Sequence, residues 1–317
     1  MAAAVDAQEA ALPTSRPPRE GFRLAVGAVG TLVPLVLVLI VFQLFSQALP
    51  AIRQFGLGVL TGTDWNPVTE SFGALPAIFG TLATSLMALA FAVPIGVAVA
   101  LVLAEPGHSS IRGVLGTGIE LLAAIPSVVY GIWALYVLGP WSYEHIQIPV
   151  SEHLSFIGWL QSPAVRGLFN AAIVLAVMVL PTLTAISRDV IKAVPRGLNE
   201  NAVALGATWW ETTWRVILPS ARAGIFGATV LALGRALGET IAVTMIIGNQ
   251  YAIPHTIFQP AYTLASVIAN EFTEATGTIY PAALMELGLV LIFVTLMVNI
   301  VALILVRSTS RDARLTA

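Results

Sequence analysis

Charge is so sparse along this chain, and so unevenly placed, that it dictates the fold class. Leu24 to Ile52 carries no charged residue, and neither does Ser71 to Ala104. A helix needs about 20 mostly apolar residues to cross a bilayer, and both runs exceed that. Three further stretches read the same way: Gly113 to Leu138, interrupted by Glu120; Gly167 to Ser187; and Arg222 to Gly248, interrupted by Arg235 and Glu239. A sixth lies between Glu286 and Arg307. Irregular backbone cannot face lipid, so the expectation is an all-α membrane protein of six transmembrane helices. Pro34, Pro94, Pro126 and Pro181 fall inside these spans and are expected to kink them.

Composition agrees and excludes alternatives. Only 10% of the residues are charged, against about 25% in soluble domains, so lipid must cover most of the surface. A net charge of −2 leaves no broad basic face for nucleic acid. With no cysteine, disulfide, thiolate and cysteine-zinc chemistry are all excluded.

Six spans put both tails on one side. Twelve of the fifteen Lys and Arg fall on that side, Arg53 and Arg166 on the other, and Arg235 in the membrane. The positive-inside rule therefore assigns both termini and the Asp189–Ala221 loop to the cytoplasm. The chain divides into a disordered tail (1–22), a transmembrane domain (23–307) and a C-terminal tail (308–317). Nothing in the first residues resembles a cleaved signal peptide.

Catalytic signatures are missing. The only lysine, Lys192, sits in VIKAVP with no glycine turn before it, so the chain is no P-loop ATPase by itself. There is no HExxH, and no GxSxG with a histidine partner. The four histidines fall in expected loops and read as solvated. No catalytic residue, metal site or cofactor is expected on this chain.

The segment from Asn199 to Thr240 carries the information. Asn199 is expected to cap a short helix, AVALGA, with Gly206 allowing close approach. An aromatic helix with Trp209, Trp210 and Trp214 follows, and Pro219 is expected to stop it before the fifth span. Such a pair of helices suits a groove on another protein. An amphipathic helix anchored by Trp at the lipid headgroups is the alternative. In the fifth span, Arg235 falls near mid-membrane if the helix starts at Ala223, with Glu239 four residues on and on the same face. An arginine there costs roughly 2.5–3.5 kcal/mol on insertion scales, so it must face a partner or a wet path. Its planar fork matches phosphate oxygens, with Glu239 holding it in place. A permanent structural ion pair is the competing reading. Gly234 and Gly238 form a small-xxx-small step for a neighbouring helix. Glu120 and Glu286 read as helix-packing hydrogen-bond partners, and Tyr130, Trp133 and Tyr136 as an aromatic belt.

Glu200-x-Ala202-x-x-x-Gly206, followed after nine residues by Val216-x-Leu218-Pro219, resembles the EAA signature of ABC importer permeases, E-A-A-x3-G-x9-I-x-L-P. Asn201 and Val216 depart from it, but the glycine and proline remain. Further runs, IELLAAIPSVVYG (119–131), LGRALGETIAVTMIIGN (233–249), Asn270-Glu271-Phe272 and Ala283 to Gly288, resemble the PstC family of phosphate importer permeases over residues 25 to 307. The resemblance implies a type I importer permease in a bacterial inner membrane. It implies a coupling role for Glu200, Ala202, Gly206, Leu218 and Pro219, and a transport role for Arg235 and Glu239. It also implies a PstA-like sister permease, two PstB-like ATPase subunits holding ATP and Mg, and a PstS-like phosphate-binding protein. The last is expected to meet loops 50–74 and 252–281. A permease for another oxyanion (molybdate, sulfate or a phosphonate) and an ATP-independent channel or carrier remain open.

Overall fold

The computed structural model describes residues 20–105 and 110–315, with side chains over 21–105 and 110–305. The expected 1–22 tail lies outside these except for its last three residues, which already belong to a helix. His108 also lies outside.

Two units divide the chain at residue 46, within the first helix, α1 (Glu20–Phe55). The first unit is the leading part of α1. Its residues 21–40 are exposed on every side, as expected of a helix whose contacts are lipid or another subunit. The second unit begins with the end of α1. It continues through a two-stranded antiparallel hairpin, β1 (Trp65–Asn66) and β2 (Ser71–Phe72), into α2 (Leu75–Ala104). Asn66 Oδ1 shapes the hairpin tip by accepting from the Val68 and Thr69 amides at 2.9 and 3.3 Å. Then come α3 (Ser110–Ala124) and α4 (Ser127–His153), the latter with two π turns. The rest is α5 (Leu168–Lys192), α6 (Arg196–Ala204), α7 (Trp209–Leu237), α8 (Ile241–Ile246), α9 (Leu264–Glu271) and α10 (Ile279–Leu315).

Among the described residues, α1, α2, α5, α7 and α10 are each long and apolar enough to cross a membrane. The third expected span is not continuous. Its two helices, α3 and α4, meet at 99°, and they count as a sixth crossing only as a bent pair. Pro126 is the cause: it has no N–H to donate and pushes Ile125 out of the helical region. Pro94 and Pro181 sit inside unbroken α2 and α5. His145 and His153 lie within α4 rather than in loops. Helix α10 runs on to Leu315, so no backbone break marks the expected boundary at residue 307.

The core is built of small residues that let helices approach closely, the usual solution where lipid is as apolar as the protein. Ala88 and Ala92 of α2, Leu175 and Leu183 of α5, Ala228 and Leu237 of α7 and Val243 of α8 form its centre. Smaller clusters close the two ends. Ala100, Ile191 and Ala221 pack at the end bearing α6. Val59, Ala77, Tyr262, Leu264 and Leu284 pack at the hairpin end. Ala77 and Ala100 are both on α2, so the ends lie roughly 35 Å apart along it.

Candidate functional site

The α6 segment projects from one end of the bundle, rooted by Ile217 and Ile225 against Ile191. Helix α6 starts at Arg196 after Pro195, so Asn199 is an interior residue and not the cap. Its end forms a Schellman turn: the Ala207 amide donates to the Ala202 carbonyl at 3.0 Å, and the Gly206 amide to Val203 at 2.9 Å. Gly206 takes φ +89° there, a conformation that costs an L-residue roughly 1–2 kcal/mol. A Cβ at Gly206 would meet no atom of this chain within 4 Å, so within the chain the glycine serves the turn. Thr208 then caps α7 with a reciprocal bond to Glu211, a signal the sequence reading overlooked although Thr208 and Glu211 stand three apart.

Pro219 does not stop the aromatic helix. Helix α7 runs unbroken from Trp209 to Leu237, because a π turn at Thr213–Ile217 widens the backbone just before the proline. The Leu218 amide reaches five residues back to Thr213. The Trp-rich segment and the fifth span are therefore one continuous helix. Glu200 is exposed, Ala202 and Leu218 are half-buried and Pro219 is exposed. No residue of α6 is buried, and Leu198, Val203, Leu205, Trp209, Trp210 and Trp214 all present apolar surface outward. The three Trp rings touch in series, with centroids 5.8 and 5.6 Å apart.

The second site is the break at the far end of α7. The fifth span was expected to run to Gly248 with Arg235 and Glu239 on one helical face. Instead α7 ends at Leu237, Gly238 caps it, and α8 begins at Ile241. Arg235 lies in the last turn of α7, about 26 Å from Leu218. Glu239 lies in the break. No ion pair joins them among the described residues. Each charge is instead placed at a helix end of opposite sign: Arg235 at the C-terminus of α7, Glu239 before the N-terminus of α8. Glu239 Oε1 makes a long contact of 3.5 Å with the Ala242 amide. Glu239 also lines a narrow cleft with Thr81, Thr84 and Ser85 of α2, and with Thr263. Thr81 and Thr84 donate to their own helix, at Ala77 (2.7 Å) and Gly80 (2.6 Å). Arg235 is exposed in the single chain.

Tyr130 is not part of an aromatic belt. It is buried, and its hydroxyl donates to the Leu122 carbonyl at 2.8 Å, satisfying a carbonyl of the broken α3 end. Trp133 and Tyr136 remain exposed, as the belt reading requires. Gly131, next in sequence, is where α8 crosses α4: a Cβ there would lie 2.5 Å from Met245 Sδ. Gly234 faces Asn299 of α10, but Gly238 meets only carbonyls of its own turn, so the small-residue step admits a neighbour at one position. Glu120 is exposed, and Glu286 is buried with Oε2 unpartnered among the described residues, so neither matches the packing bond expected of it.

Residues 92–314 match the family described as binding-protein-dependent transport system inner membrane component. The chain is 43% identical over 286 residues to the phosphate transport system permease protein PstC of Mesorhizobium japonicum, covering 89% of this chain and 88% of that one. Against the PstC of Pasteurella multocida the figures are 43%, 92% and 93%. Against the probable PstC of Methanocaldococcus jannaschii they are 35%, 85% and 87%. Solved structures support the fold alone. A bacterial alginate ABC transporter chain aligns with a TM-score of 0.57 at 20% identity, over 89% of this chain and 92% of that one. A chain of the inward-facing MetNI methionine ABC transporter aligns at 0.55 and 17%, over 74% and 94%. The chain thus belongs to the binding-protein-dependent transport system inner membrane components and, within them, to the PstC permeases.

Proposed function

We propose that this chain is one half of a heteromeric permease that passes inorganic phosphate through a bacterial cytoplasmic membrane, driven by ATP hydrolysis on separate subunits. The observation that carries the reading is Arg235, a guanidinium without an ion-pair partner among the described residues, exposed at a helix break within an otherwise apolar span. An arginine so placed faces a wet path or an anion, and its fork pairs with tetrahedral oxyanions. Glu239 follows it in the break, four residues on, so a bound dianion meets both attraction and repulsion and is released readily.

Energy enters at the other end. The apolar face of α6 and the Trp ladder form the surface for a PstB-like ATPase pair that holds the ATP and Mg, and α7 carries its motion to Arg235 as one rod. Glu200, Ala202, Gly206, Leu218 and Pro219 build or anchor that surface. A PstA-like sister permease completes the pore, and a PstS-like binding protein delivers phosphate at the hairpin end. Both termini and α6 face the cytoplasm, following the lysine and arginine distribution. This chain holds no catalytic residue in that scheme.

The test is uptake of labelled phosphate by vesicles containing the whole complex. Arg235→Gln and Glu239→Gln should each abolish uptake while complex assembly stays at the wild-type level. Lost assembly would favour a purely structural role. Competition separates substrates: excess phosphate should suppress uptake, while excess sulfate or molybdate should not.

A further inference from the structure

The Asn270-Glu271 pair has no part in the scheme above, yet it closes a network between two distant places. Helix α9 is eight residues long, about 12 Å. At one end Glu271 Oε2 accepts from the Trp65 indole of β1 and from the Tyr280 hydroxyl in the first turn of α10, the latter at 2.7 Å. Trp65 packs on Phe72 and Tyr251, with centroids at 4.8 and 5.5 Å, so the hairpin is gripped at both strands. Burial and the charge of Glu271 push the Tyr251 hydroxyl up, keeping it a donor to the Gly73 carbonyl just past the hairpin.

The other end of α9 reaches the transport cleft. Thr263 caps the helix through a buried reciprocal pair with Ser266. The next amide, Leu264, donates to Thr81 Oγ1 at 2.9 Å. Thr263 and Thr81 line the same cleft as Glu239. Gly80 lets the Tyr262 carbonyl press directly on α2, since a Cβ there would lie 2.1 Å from that oxygen. Asn270 donates back to the Tyr262 hydroxyl at 2.8 Å, bracing one end of α9 against the other.

We propose that α9 is a strut that carries displacement of the 65–72 hairpin to the Glu239 cleft, with Glu271 and Asn270 as positioning residues. The hairpin tip is open to a partner, Val68 being 92% exposed. A helix fastened by hydrogen bonds at both ends moves as a body, so a load on the hairpin shifts Thr263 and Thr81 instead of dissipating in a loop. This rests on the transport reading for what the cleft does, and not for the coupling itself.

The test uses the assembled complex in nanodiscs. A Trp65→Phe, Tyr280→Phe double variant removes both donors to Glu271 and leaves an aromatic ring at each position. Amide exchange at residues 264–267, the far end of α9, should rise about tenfold, and phosphate uptake should fall by at least that factor, at unchanged complex levels. Glu271→Gln, which keeps an acceptor oxygen, should recover most of both losses relative to Glu271→Ala. Unchanged exchange at 264–267, or raised exchange with full uptake, overturns the strut. A wild-type complex that takes up no phosphate overturns the transport reading, while the exchange measurement still judges the strut.

Discussion

Three residues show how much a single position carries here. Gly206 holds a left-handed turn, with φ +89° and no atom of this chain for a Cβ to strike. Within the chain Gly206→Ala therefore acts through the backbone, at roughly 1–2 kcal/mol, or a five- to thirtyfold change in population. We expect the ATPase to co-purify correspondingly less well with this variant, while Asn201→Ala, on the exposed face of α6, leaves co-purification within about twofold. Equal loss in both would mean that the turn is not what the partner reads. Arg235 and Glu239 teach the opposite lesson. Their spacing of four promised a salt bridge, and Gly238 took it away by ending the helix between them. What the sequence does report correctly is that both charges sit within an otherwise apolar run.

At the scale of elements, the informative features are breaks and their repairs. The α3–α4 corner at Pro126 leaves carbonyls without helical partners, and Tyr130 supplies a hydroxyl to one of them. Tyr130→Phe should destabilise the chain by about 1–3 kcal/mol, the cost of a buried carbonyl left unpaired, measured as a lower unfolding midpoint in detergent. An unchanged midpoint would show that the carbonyl finds water. The α4–α8 crossing at Gly131 is tighter still. Gly131→Val must push Met245 and the Ala242 backbone away, displacing α8 and with it the amide that Glu239 contacts. The expected result is a loss of about 1–3 kcal/mol in stability together with lost uptake. Full uptake at reduced stability would separate α8 from transport. The π turn before Pro219 belongs to the same class: a proline that reads as a stop sign is absorbed by one wide turn, and two expected helices become one.

For the whole molecule, exposure is the dominant fact. Residues 21–40 of α1 and the outward faces of α3, α7 and α10 are apolar and uncovered, as they must be in one subunit of a membrane assembly. On the proposed scheme, vesicles holding this chain and a PstA-like permease without a PstB-like ATPase should take up no phosphate even with ATP inside. Uptake under those conditions would instead favour a channel or carrier. The class of the apolar helices and their approximate placement were legible beforehand, because hydrophobic burial is local and nearly additive along a chain. Prolines were not legible in the same way: Pro94 and Pro181 ride inside helices, Pro126 breaks one and Pro219 is bridged. A helix break inside an apolar bundle survives where another element satisfies the freed backbone groups, as Tyr130 of α4 does for Leu122 of α3 and Thr81 of α2 does for Leu264 of α9. Sequence alone therefore settled what must lie in the membrane, and only the tertiary structure decided where the helices stop, since that depends on hydrogen-bond partners that other elements bring in.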